Sequence, residues 1–75
     1  MNRIEALAAL KDINTTRTTV QGVTLGVGFF MCDAIRALGD FERASRTIRS
    51  LTNSGRVNCR PVDISGLSHD LYFIA

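Results

Sequence analysis

Leu38-Gly39-Asp40 compresses a helix stop and a helix start into three residues. Gly39 suits the backbone conformation that ends a helix, and Asp40 suits the open amide groups that begin one. The segments on either side are thereby fixed as separate helices that adjoin in sequence. Upstream, Met31, Ala34, Ile35 and Leu38 follow the i, i+3, i+4, i+7 spacing, which predicts a helix over residues 29–38. Downstream, Phe41, Ala44, Ile48 and Leu51 form an apolar stripe, and Ser54-Gly55 terminates a helix expected from Phe41 to Asn53.

The third helix also begins a cationic stretch. Arg43, Arg46, Arg49, Arg56 and Arg60 occur with no acidic residue among them. The whole chain carries a net charge of only +2, so the basic residues are concentrated rather than abundant. Eight of the nine basic residues are arginine, whose planar fork suits phosphate and guanine edges. With Ile48 at the centre of the buried face, Arg46 and Ser50 fall roughly 160° away and Arg43 and Asn53 roughly 140° away. Thr47 and Arg49 flank them. A greasy face opposite a cationic one is the footprint of a helix that lies against phosphates. A solvated basic face, with Arg43 and Arg49 paired to Glu42, Asp40 or Asp33, is the simpler alternative.

Around this unit, residues 2–13 read as a first helix, capped by Asn2 with Glu5 three residues on. Ile4, Leu7, Ala8, Leu10 and Ile13 supply its apolar face. Four threonines between residues 15 and 19 favour extended structure, which predicts a short strand near Thr18–Gln21. Three glycines in residues 22–28 predict a loop or tight turn. The tail reads as a β-hairpin with arms at Arg56–Arg60 and Asp70–Ile74. Its connection of about eight residues exposes Ile64 and Leu67. Pro61 fits only an edge or a strand end.

Several chemistries are excluded or disfavoured. The glycine stretch lacks the Lys-Ser/Thr of a phosphate-binding loop. Two cysteines and one histidine cannot complete an ordinary structural zinc site, so no metal and no cofactor is expected. His69 and Asp70 are neighbours on a strand and point to opposite faces, so they are not a ready catalytic dyad. His69 reads as a structural or hairpin-contact residue. With no triad or paired-carboxylate motif, an enzyme is not expected. The first ten residues lack a signal-peptide pattern, which implies a cytoplasmic, reduced setting. Cys32 and Cys59 then read as small core residues rather than a disulfide. The low-polarity run from Gly22 to Cys32 is too short to span a bilayer. Phe29 and Phe30 read as core. Tyr72 and Phe73 alternate, so only one of them faces inward.

Taken in order, residues AIRALGD, then FERASRTIRSLTNSGRV, then the hairpin resemble the winged helix-turn-helix family of DNA-binding domains. Ala44, Ile48, Leu51 and Gly55 occupy the recurring apolar and glycine positions of its recognition helix, with Val57 entering the wing. The resemblance implies an α+β fold over residues 1–75 as one domain. Three helices would be followed by a C-terminal β-hairpin wing, with a short strand after helix one. It further implies a small transcriptional regulator of phage or mobile-element type. Helix 41–53 would enter the major groove of double-stranded DNA, with the 56–74 hairpin alongside. Arg43, Arg46, Thr47 and Ser50 become candidates for base edges, and Arg49 and Asn53 for phosphates. Arg56 and Arg60 would meet backbone or minor groove. The alternatives are a winged-helix module that binds a host protein, such as RNA polymerase or a defence complex, and an accessory factor that bends DNA during recombination. Exposed Ile64 and Leu67 favour the former. The chain would act as a monomer or a homodimer. The glycine stretch 22–28 and a short turn before helix three depart from the family pattern.

Overall fold

A computed structural model describes residues 2–75 as a small α+β fold of three helices and two antiparallel hairpins. Helix α1 spans Arg3–Ile13, and the Asn2 side chain accepts from the Glu5 amide at 2.8 Å. Strands β1 (Thr15–Thr18) and β2 (Thr24–Gly28) form the first hairpin. Helices α2 (Met31–Leu38) and α3 (Phe41–Asn53) follow, then β3 (Val57–Ile64) and β4 (Leu67–Ile74) form the second hairpin.

The turn between α2 and α3 matches its residues. Gly39 has φ 110°, and its amide donates to the Ile35 carbonyl at 2.8 Å. Asp40 caps α3 by accepting from the Arg43 amide at 2.7 Å. Such a cap contributes about 1 kcal/mol. At the other end Gly55 takes φ 79°, and the Arg56 amide reaches back to the Leu51 carbonyl at 2.9 Å. This bond satisfies one of the carbonyls that a helix end leaves open. Helix α2 begins at Met31 rather than residue 29, because Phe29 is extended and pairs with Tyr72. The Asp33 carboxylate closes the start of α2 by accepting from the Phe30 amide at 3.0 Å.

One core joins all three helices to the second hairpin, with Phe29, just after the first hairpin, inside it. Ala6 and Leu10 of α1, Ala34 and Leu38 of α2, and Ala44, Ile48 and Leu51 of α3 meet around Phe29 and Val57. The apolar face of α1 is rotated from the expected one. Ile4 and Ala8 are exposed, while Ala6 and Leu10 are buried. Small Ala6 allows close helix contact where a larger side chain would hold the helices apart. Phe41 lies on the stripe by angle but overhangs the core at the first position of α3, and 64% of it is exposed.

The first hairpin overturns two expectations. The strand lies at Thr15–Thr18 instead of Thr18–Gln21, and the stretch expected as a loop, 22–28, supplies its partner strand. The turn sits at residues 19–23, where the Thr19 amide donates to the Val23 carbonyl at 2.8 Å and Gly22 has φ 89°. Gly26 takes φ 102° at the register shift opposite Arg17 and Thr18, while Gly28 serves close approach. A Cβ at Gly28 would lie 2.6 Å from the Tyr72 carbonyl oxygen and 2.8 Å from Leu71. The two hairpins abut at that point. Phe29 and Tyr72 exchange backbone hydrogen bonds of 2.7 and 2.9 Å, and their rings stack with centroids 6.0 Å apart.

The second hairpin is longer and tighter than expected. Its strands have eight residues each, and only Ser65 and Gly66 turn the chain. Both take positive φ, 53° and 84°, the backbone that a two-residue hairpin turn needs. Ile64 and Leu67 thus face each other across the turn rather than lying in a long loop. Pro61 is tolerated inside β3 because that strand pairs only with β4. Tyr72 and Phe73 are both half-buried, although they alternate. The cysteines also depart from expectation: Cys32 and Cys59 are both exposed and unbridged. Cys32 lies on the outer side of α2, and Cys59 stands beyond the core on the edge strand.

Arg17 ties these pieces together. Its Nε donates to the Gly28 carbonyl at 2.9 Å and its Nη2 to the Ile13 carbonyl at 2.6 Å. Asp33 lies 3.7 Å from the same guanidinium. One side chain thereby links the end of α1, the end of β2 and the start of α2. No described helix is long and apolar enough to cross a membrane.

Candidate nucleic-acid interface

Burying Ala44, Ile48 and Leu51 forces the opposite side of α3 outward. Arg43, Arg46, Arg49 and Asn53 are exposed there, and Thr47 and Ser50 are half-buried at the edge. Arg43 and Arg49 form no ion pair among the described residues, so the pairing with Asp40, Glu42 or Asp33 is absent for these two. Arg46 lies 3.8 Å from Glu42, but the two side chains are 75% and 88% exposed. An exposed pair one helical turn apart contributes at most about 0.5 kcal/mol and yields readily to a polyanion.

The eight candidate residues do not form one group. Six of them, Arg43, Arg46, Thr47, Arg49, Ser50 and Asn53, share α3. Arg56 is exposed just beyond Gly55, its backbone fixed by the bond from its amide to Leu51 and by its carbonyl accepting from the Ala75 amide at 3.0 Å. Arg60 is separate. Its guanidinium donates to the Leu25 carbonyl and covers Gly26, where a Cβ would collide with it. Arg60 therefore stitches the two hairpins together.

A ninth residue joins the α3 group. Arg3, on the first turn of α1, donates from Nη2 to the Ser50 Oγ at 2.8 Å. Between the start of α1 and α3 lies a cleft of about 370 Å³, with Arg3, Arg43, Arg46, Thr47 and Ser50 on its walls. A second hollow continues past Arg3 toward Arg49 and Asn53. Among the described residues, no carboxylate lines either one. Arg3 is remote from α3 in sequence, and no local pattern links them. The signal available beforehand was only that a basic residue opens α1, where cations are disfavoured by the helix dipole.

A different concavity, about 600 Å³, lies between the α2 start and the second hairpin. Phe30, Met31, Ile64, His69 and Tyr72 contribute to it, and His69 sits edge-on to Phe30 at 6.4 Å. His69 pairs across the hairpin with Val62, and Asp70 with Pro61, so the two side chains leave opposite faces of the sheet. Partial loss of solvation at this exposed position, then the nearby Asp70 carboxylate, pushes the Cys59 thiol up. The Tyr72 hydroxyl is also raised, first by burial and then by Cys59 and Asp70. Both groups are thus held protonated, which gives neither the character of a nucleophile.

The described residues contain no cluster of three metal-binding side chains. Comparison with known proteins found no family, no characterised protein and no solved structure that this chain matches.

Proposed function

We propose that the chain is a small duplex-DNA-binding protein of winged helix-turn-helix type that regulates transcription by occupying its site. Helix α3 enters the major groove, and the β3–β4 hairpin lies alongside as the wing. The observation that carries this reading is the division of α3. One side is sealed into the core, and the other presents Arg43, Arg46 and Arg49 without a buried or strong acidic partner. The tight turn at Gly39-Asp40 before α3 and the hairpin after Gly55 support this reading. Arg43 and Arg46 are assigned to base edges, and Arg49, Asn53 and Arg56 to phosphates.

Selection of bound duplexes from a random pool, at about 50 mM salt, tests the reading. Enrichment of a short motif containing guanine is expected, because arginine reads its O6 and N7. Retention of no duplex at all would remove the proposal.

A second reading rests on a separate observation. Leu67 is 65% exposed at the tip of the second hairpin, and Val20, Val23 and Val27 are exposed on the first. Apolar side chains on two hairpins favour a protein partner, as for a module that inhibits or adapts a host protein. Loss of a captured host protein on Leu67→Asp, with Arg43→Ala harmless, would select this reading over the first.

A further inference from the structure

The base-reading assignment of Ser50 does not fit its surroundings. Its Oγ accepts from Arg3 Nη2 at 2.8 Å, so its own proton points away from Arg3 and is free to be donated elsewhere. Only one of the five guanidinium donors of Arg3 is occupied among the described contacts. Arg43 and Arg46 reach the same cleft from α3, and Thr47 offers a second hydroxyl. Among the described residues, three cations and two hydroxyls converge without a carboxylate on the walls. Like charges brought together on two different helices repel one another, and an anion between them removes that cost.

We propose that the cleft between α1 and α3 is a phosphate site, with Arg3 as the anchoring residue and Ser50 as the group that orients it. Arg3 takes the phosphate oxygens by its planar fork, while Ser50 holds the fork in place and donates its own proton. The inference rests on the DNA reading for the source of the phosphate, a backbone phosphodiester beside the groove that α3 enters. A free phosphate would satisfy the same donors. Arg3 thus fixes the position of the protein on the duplex and carries no sequence information.

The full chain, labelled with 15N, is titrated separately with a short duplex and with inorganic phosphate. Amide shifts at Arg3, Thr47 and Ser50 are followed, and duplex affinity is measured against salt for wild type, Arg3→Ala, Arg3→Lys and Ser50→Ala. Arg3→Ala is expected to lower duplex affinity about tenfold at ~0.1 M salt and to reduce the log–log salt slope by about 0.9, the loss of one phosphate contact. Arg3→Lys keeps the slope but loses part of the affinity, because the charge remains and the fork does not. Ser50→Ala weakens binding by a smaller factor, without changing which sequences are preferred. A thermal melt of each variant confirms folding.

If duplex binds and Arg3→Ala leaves both affinity and slope unchanged, the cleft is not a phosphate site, while the DNA reading stands. A change of sequence preference in Ser50→Ala also overturns the assignment, because it makes Ser50 a base reader. If duplex does not bind but inorganic phosphate shifts Arg3 and Ser50, the site stands and the DNA reading fails. If neither ligand shifts these residues, the inference is overturned.

Discussion

Arg46 on α3 and Arg17 on β1 carry the same guanidinium into opposite surroundings. The Arg46 side chain is 75% exposed and meets one exposed glutamate at 3.8 Å. The Arg17 side chain is 26% exposed, donates to two backbone carbonyls and faces Asp33. Arg60 belongs with Arg17, since it bonds the Leu25 carbonyl across the hairpins. The helix face and the hairpin seam are therefore separate uses of one residue type. A guanidinium whose donors are bound to backbone holds the fold together. One whose donors face solvent is available to a ligand. The number of arginines in a stretch does not distinguish these cases; their partners do.

The largest expected effect comes from the helix face. Replacing Arg43 and Arg46 together by Ala should lower duplex affinity about a hundredfold at ~0.1 M salt, two guanine-reading side chains being lost at about 1–3 kcal/mol each. The urea midpoint should not move, because both side chains lie opposite the buried stripe. A large loss of stability in this variant would break the division between face and seam.

The converse variant is Arg17→Ala. It removes two charge-assisted hydrogen bonds and leaves the half-buried Asp33 without its cation, which should cost about 2 kcal/mol of stability in urea unfolding. Duplex affinity of the folded fraction, and its salt slope, should stay as in wild type. A reduced slope would place Arg17 in the interface instead.

Gly28→Ala probes the seam from the other side. Its Cβ would meet the Tyr72 carbonyl at 2.6 Å, so the hairpins must move apart, at a cost of about 1–3 kcal/mol in thermal or chemical unfolding. An unchanged midpoint would mean that the hairpins do not abut there.

The smallest effect concerns Cys59. Its thiol is raised by partial loss of solvation and by Asp70, so the folded chain holds that proton more tightly than the unfolded one. The linked stability is present below the unfolded pKa and is lost as pH rises through the folded one. Alkylation of Cys59 at neutral pH should accordingly be slower than that of a free thiol and accelerate only at more alkaline pH. Removing the charge with Asp70→Asn should speed it.

The helix face was far more legible in the sequence than the seam was. Asp40, Gly39, Ile48 and Gly55 act locally, through a cap, a positive φ and a 3.6-residue period, and each did what its residue type dictates. The seam depends on long-range fit. Gly26 and Gly28 read as loop residues because glycine serves turns, irregular strands and close approach alike; the positive φ of Gly26 at a register shift and the Tyr72 carbonyl beside Gly28 decide which. Ser65-Gly66 read as part of a longer connection, because Ser65 takes a positive φ that is uncommon outside glycine and closes the turn in two residues. Cys32 and Cys59 are exposed because this small fold has little interior and spends it on leucines, Phe29 and alanines. In the candidate site, Arg43, Arg46, Arg49 and Asn53 followed from helical angles alone. Arg3 did not, since only the packing of α1 on the core brings it to Ser50.

The most direct test of the central claim is the affinity of the wild-type chain for duplex DNA as a function of salt. Binding at about 50 mM salt and a log–log slope of several units are expected, with Arg3, Arg49 and Arg56 meeting phosphates while Arg43 and Arg46 enter the groove. A chain that binds no duplex at low salt, or binds with a slope near zero, contradicts it.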